Sequence, residues 1–247
     1  LNLPEIIGFF GSYPADICMY TAYAVQNAGK SVCVIDDSED GILYQCVPSP
    51  NDQLMVVTYH EVDFMRLVPV VQWHELEYDY VLVQLGSQPQ ELCLALCSKR
   101  VLVVDCDRRN LDFYQYFIQE SGLSAAVLLR GFCSEFAAKK IKKYLQWEDC
   151  LVERWMLLPF DEADEEYRIG MQYEPVYKFA HISVGMEHIL VQLLRMFAVL
   201  DRVRTIRAVR NAKQGKTASV SYRHLGSDPA YREAFFNGRM RNSSRVI

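Results

Sequence analysis

The sequence predicts a doubly wound α/β fold, a mostly parallel sheet flanked by helices, with a basic C-terminal extension. Three observations carry the prediction. Short apolar runs of strand length recur along 247 residues that are 51% hydrophobic. Most of these runs are apolar at successive positions, the pattern of strands buried on both faces. Stretches of helical character separate them, and repeated strand and helix alternation builds a parallel sheet with helices on both sides.

The elements follow in order. Strands are expected at 5–10, 31–35, 54–58, 80–85, 100–104, 125–129 and 152–158. The helix 15–28 is rich in Ala, Tyr and Met and ends at Gly29, a natural C-cap. Helices 110–121 and 134–147 are amphipathic. Ser134 is a natural N-cap for the second, and Lys139, Lys140, Lys142 and Lys143 near its end favour the helix dipole. That lysine cluster is read as a solvated face in preference to a nucleic-acid surface. A last helix is expected over 183–209, apolar through Leu200 and basic afterwards.

Charge divides the chain unevenly. From Arg202 onward eleven Lys/Arg face only Asp228 and Glu233, a net +9, so the total of −5 leaves −14 on residues 1–201. Residues 1–200 are therefore expected to form the domain and 201–247 a basic helical or disordered tail. No apolar run approaches the roughly 20 residues of a membrane span, and the first residues lack the pattern of a signal peptide, so a cytoplasmic protein is expected. Most of the eight cysteines lie in apolar runs and read as small core residues. Cys93 and Cys97 lack further ligands at zinc spacing, and no metal is expected. The five histidines are scattered, and no serine nucleophile elbow occurs.

Gly8 to Ser38 has the outline of a strand, a phosphate-holding loop, a helix and a second strand, yet it carries no lysine in the loop. Its "AGKSVCVID", Ala28 to Asp36, resembles the MinD/ParA family of deviant-Walker P-loop ATPases. "YDYVLVQLGSQP", "CSKRVLVVDCDRRNLDFYQYF" and "LLPFDEADEEYRIGMQYEPVY" are similar to later family segments, so the likeness spans about residues 5 to 200. Aligned this way, the family's signature lysine falls on Phe9, its central P-loop lysine on Pro14 and its magnesium-binding threonine on Ala15. Of the loop glycines Gly11 remains, with Phe10 and Tyr13 where others would stand. Asp36 keeps the first acid of the second strand, Ser38 replaces the next, and Gln84 replaces the Walker B acid. The base-contacting Asn falls on Leu129 or Arg130.

Loss of the lysines, the hydroxyl and the acid removes the positioning and charge from which phosphoryl transfer is made. The resemblance therefore implies a degenerate member without ATPase activity or cofactor, close to the TadZ/CpaE branch of pilus assembly. Phe9, Phe10 and Tyr13 are expected to fill the old pocket. A nucleotide-binding, non-hydrolysing switch is the alternative, with the crevice at Gly11, Asp36 and Gln84 as its site.

Asp105 and Asp107 at a strand end could bind a metal or form a salt-bridged loop with Arg108 and Arg109. Asp161 to Glu166 reads as a solvated helix start. In the tail, Arg202, Arg204, Arg207 and Arg210 flank an apolar stripe that would continue as a free basic arm. Tyr222, Tyr231, Phe235 and Phe236 suit a segment that orders on a protein partner. DNA or anionic membrane is the lesser partner class for the tail, with membrane association otherwise through a partner. The resemblance also implies a homodimer.

Overall fold

A computed structural model describes residues 3–48, 55–66, 68–145, 147, 151–175, 179–199, 201–215 and 220–224. Nine strands form one sheet in the order β8-β7-β6-β1-β5-β2-β4-β3-β9. They are β1 (Glu5–Gly11), β2 (Val32–Asp36), β3 (Met55–Tyr59), β4 (Val62–Arg66), β5 (Tyr80–Gln84), β6 (Lys99–Val104), β7 (Ala125–Phe132), β8 (Val152–Pro159) and β9 (Val220–His224). Only the β4-β3 and β3-β9 pairings are antiparallel. The buried strands are Val, Ile and Leu runs, which accounts for the parallel majority.

Two cores lie on the two faces of this sheet. Strand alternation sends Ile7 and Phe9 to one and Ile6 and Phe10 to the other. The first face is covered by α1 (Ala15–Asn27), α7 (Val184–Met196) and α8 (Arg202–Gln214). The second carries α3 (Glu91–Leu96), α4 (Arg108–Ser121) and α5 (Glu135–Leu145). Short α2 (Ile42–Gln45) follows β2, and α6 (Glu162–Gly170) follows β8. Ser134 caps α5 as expected, its hydroxyl accepting from the Ala137 amide at 3.2 Å.

The C-terminal region departs from expectation. The helix expected over 183–209 is two helices: α7 stops at Met196, Ala198 takes a positive φ of 54°, and Asp201 starts α8. The Asp201 carboxylate accepts from the Val203 and Arg204 amides at 3.0 and 3.1 Å, a cap that overrides helical periodicity. Nor is α8 a free arm. Thr205, Ala208, Val209 and Ala212 recur at helical spacing and are buried against α1 and α7, leaving the arginines outside. This packing explains why Ala15 to Val25 are all buried, a helix apolar around its whole circumference.

Disorder expected beyond Lys213 is corrected at Val220–His224, which pairs along the whole of β3. The expected strand at 54–58 becomes β3, and its partner β4 was not foreseen. The turn between them uses His60 and Glu61 with φ of 52° and 61°, without the Asn-Gly signature of such hairpins. Among the described residues no helix is long and apolar enough to cross a membrane.

Candidate functional site

Parallel strands place their following loops along one rim, and the order of strands reverses at β1, which lies between β5 and β6. The crevice at such a reversal is the customary ligand site of open α/β sheets. The β1–α1 loop, Ser12 to Pro14, occupies it.

This loop lies down on the sheet. The Gly11 amide donates to Gly86 O at 2.9 Å and the Ser12 amide to Val103 O at 2.7 Å. Gly11 has φ of 111°, and a Cβ there would stand 2.0 Å from Val103 O, so this close approach admits only glycine. Pro14 has no amide to offer and forms the N-cap of α1, its carbonyl accepting from Cys18 at 3.0 Å.

The start of α1 carries its own anion. Asp16, 1% exposed, accepts two bonds from Arg130 at the end of β7, at 2.9 and 2.8 Å. Its carboxylate also accepts from the Ile17 amide at 2.8 Å, and Arg130 reaches Tyr13 O at 3.4 Å. The positive end of a helix dipole favours such a carboxylate, and the fork of Arg130 matches it in bidentate fashion. Arg130 is held in its charged form by Asp16 against the opposing effect of its burial. Over the mouth, the Arg168 guanidinium sits 4.8 Å from the centre of the half-exposed Tyr13 ring and pairs with Glu165.

The acid at the end of β2 is also engaged internally. Asp36, buried to 1% exposure, accepts from the amide and hydroxyl of Ser38 and from the Tyr44 amide at 2.8 Å. Burial still pushes its carboxyl above the ordinary range, with those donors opposing. The Ser38 hydroxyl in turn accepts from the Gly41 amide at 3.1 Å, so Asp36 and Ser38 tie the β2–α2 turn together. Beside them Gln84, 2% exposed, leaves its Oε1 with no hydrogen-bond partner.

The expected positions thus converge in part. Gly11, Pro14, Ala15, Asp36, Ser38 and Gln84 gather at the β1, β2 and β5 strand ends. Phe9 and Phe10 do not fill the crevice, because alternation buries them on opposite faces, against Phe197 and Phe117 respectively. Tyr13 points outward. Of the proposed partner residues, Arg202, Arg204, Arg207 and Arg210 are exposed on α8 and Tyr222 is exposed on β9. Tyr231, Phe235 and Phe236 lie outside the described residues.

Asp105 and Asp107 form the capping loop of α4. Asp107 accepts from the Arg109 amide at 2.9 Å, and Asp105 accepts from the Asp107 amide at 2.9 Å and from Asn110 at 2.8 Å. No cluster of three metal-ligating side chains occurs among the described residues. Asp161 caps α6 as read from sequence, whereas Asp164 is buried and accepts from the Ser183 amide and hydroxyl at 2.7 and 2.6 Å. The Asp16–Arg130 pair escaped sequence reasoning, being 114 residues apart; an acid directly after Pro-Ala at a helix start was its only local signal.

A magnesium triphosphate needs free loop amides and a lysine for its negative charge. Here the Ser12 amide is bonded to a carbonyl of β6, Pro14 has no amide to offer, and the charge at the helix start is a carboxylate paired with Arg130. These residues do not fit that group.

No protein-family model matches the sequence, and no curated protein matches it. Solved structures do. The ParA family ATPase from Chlorobium tepidum TLS aligns with 87% of this chain and 99% of its own at 13% identity and a TM-score of 0.54. The MinC:MinD cell division complex from Aquifex aeolicus aligns with 84% of this chain and 96% of that one at 13% identity and a TM-score of 0.52. Strand order, the loop at the β1 reversal and these likenesses agree: the chain has the MinD/ParA-like ATPase fold.

Proposed function

We propose that this chain is a catalytically inactive MinD/ParA-fold protein that acts as a scaffold or localisation factor. The observation that carries the reading is the self-occupied phosphate crevice. The Ser12 amide is bonded to β6, Asp16 and Arg130 neutralise one another at the start of α1, and Gln84 stands at the Walker B position. A neutral amide cannot supply the charge of a magnesium shell.

Its partners are proteins. The exposed arginines of α8 and Tyr222 remain the candidate surface near the C-terminus. A second supporting feature is the rim itself, where Tyr13, Leu92, Phe136 and Phe160 are exposed in segments that follow β1, β5, β7 and β8. Apolar side chains gathered along one rim suit a protein interface. The Aquifex aeolicus MinD is solved with MinC, and by that analogy a bacterial assembly such as a pilus or secretion system, the setting of the TadZ/CpaE branch, is the proposed context. The place of action is the cytoplasm, with membrane association through a partner.

One observation favours a second reading. The buried, unpartnered Oε1 of Gln84 is an acceptor awaiting a donor, as a nucleotide or another small molecule bound without magnesium would provide. Calorimetry and thermal shift of the purified chain with ATP, with and without Mg²⁺, test both readings. No heat, no stabilisation and no phosphate release are expected. A ligand at one hundred times its Kd would add about 2.7 kcal/mol; that stabilisation without turnover would establish the switch. Saturable Mg²⁺-dependent hydrolysis would overturn both.

A further inference from the structure

Two thiols stand at the rim that carries the crevice. Among the described residues Cys18, Cys33, Cys46, Cys93 and Cys97 are buried, while Cys106 and Cys133 are exposed. Buried thiols behave as inert small side chains, whereas exposed ones are open to oxidation. Both exposed thiols lie just past the ends of neighbouring strands. β6 and β7 pair in parallel up to Val104 and Leu129; Cys106 lies in the loop before α4, and Cys133 lies between β7 and the Ser134 cap of α5. Beyond Leu129 the chain is not fully extended: Gly131 has φ of 75°, and the register with β8 shifts between Arg130 and Phe132. The Cys106 side chain leans toward β7, its Sγ donating to Arg130 O at 3.6 Å. The two sulfurs feel one another: the Cys106 thiol is pushed up by partial burial first, then by Asp105 and by the charge Cys133 would carry.

We infer that Cys106 and Cys133 are a reversible redox pair that closes to a disulfide when the chain meets hydrogen peroxide. Adjacent strands lie about 4.8 Å apart, inside the Cα separation that a disulfide bridges. Because ionisation of Cys106 is disfavoured, Cys133 is assigned as the thiol that meets the peroxide. Its sulfur attacks one peroxide oxygen, the O–O bond breaks, and the other oxygen leaves as water with the thiol proton. The resulting sulfenic acid is attacked by the Cys106 sulfur; an S–S bond replaces the S–O bond, and the hydroxyl leaves as a second water with the Cys106 proton. Two electrons pass from the sulfurs to the peroxide, and a dithiol returns them by exchange. The bridge ties the β6–α4 loop to the β7–α5 loop across the backbone of Arg130, so oxidation braces the rim from which that residue holds Asp16. This device is separate from the proposed scaffold role, since it needs neither a nucleotide nor a partner.

Peptide mapping of the full chain tests it. Dilute protein is treated with hydrogen peroxide, its remaining thiols are alkylated, and the peptides are identified by mass spectrometry without reduction. A Cys106–Cys133 linked peptide is expected, with both cysteines lost from the alkylated pool and both recovered by dithiothreitol. Oxidation should raise Tm by about 4 to 16 °C, the range for a cross-link in a chain of this size. Cys106→Ser and Cys133→Ser should each abolish the linked peptide and the rise in Tm; both positions are exposed, and melting of the reduced variants with reduced wild type confirms that they fold. Both thiols still alkylated after peroxide, Cys133 over-oxidised with no bridge, a bridge to another cysteine or a second chain, or an oxidised chain that melts with the reduced one would each overturn the inference.

Discussion

Arg130→Met isolates the energetics of the crevice. The side chains of Arg130 and Asp16 are 9% and 1% exposed, so solvent screens their pairing little. Removing the guanidinium leaves a carboxylate buried in the first turn of α1 with the Ile17 amide as its remaining donor. Breaking a buried pair from one side costs about 3–5 kcal/mol, because the charge left behind is neither solvated nor compensated. For a chain of this size each kcal/mol lowers Tm by about 2–4 °C, so a drop of roughly 6–20 °C is expected. Adding Asp16→Ala should recover most of the loss, since removing both charges is often close to neutral. The remainder is the Tyr13 O and Ile17 N–H bonds, about 1 kcal/mol each. Urea unfolding of wild type, both single variants and the double variant closes a cycle that reads the coupling directly. A cost for Arg130→Met below about 1 kcal/mol, the size of an exposed pair, would refute the reasoning.

Two further predictions concern the same rim. Gly11→Ala places a Cβ 2.0 Å from Val103 O at φ of 111°, so the loop must lift and the Ser12 to Val103 bond must break; urea unfolding should show a loss of about 3 kcal/mol, and a loss under 1 would contradict the close approach. Asp36 titrates higher in the fold than in the unfolded chain because of burial. Its ionisation is therefore easier when unfolded, and its contribution to stability is greatest below the ordinary 3.8 and falls as pH rises through the raised value. Asp36→Asn should remove that part of the slope above the ordinary 3.8, even though losing the Tyr44 contact lowers stability overall; parallel curves for the two proteins would exclude Asp36 as its source.

The fold was legible because it rests on local pattern. Runs such as "YVLVQ" and "RVLVV" read as two-face-buried strands, and Gly29 and Ser134 marked helix ends by their own chemistry. Phe9 and Phe10 leave the crevice because the period of two sends neighbours on a strand to opposite faces, which an alignment of loop positions does not express. The arginines of α8 masked a second signal, since Thr205, Ala208, Val209 and Ala212 are small and form a close-packing stripe that hydrophobicity alone undervalues. β9 could not be read at all: five residues with one arginine make a strand only because β3 offers an edge and Asp63 accepts that charge. Long-range pairs of this kind, Asp16 with Arg130 among them, do not name their partner in local sequence.

Retention of Gly11 looks at first like a trace of phosphate binding, since loop glycines admit the close approach of a ligand. Its surroundings give a different cause. The space a Cβ would fill is taken by the carbonyl of Val103, which also accepts from Ser12. Glycine is therefore required by the contact between the β1–α1 loop and β6, whether or not an anion ever enters. The same holds for Asp36, whose three donors come from the turn it closes and from α2. Both matches to the ATPase pattern are thus explained by internal packing, and neither is evidence for a bound nucleotide. The side chain left without such an account is Gln84, whose Oε1 has no partner. A ligand would have to declare itself at Gln84, where titration with ATP should leave the amide environment unchanged if the crevice is closed.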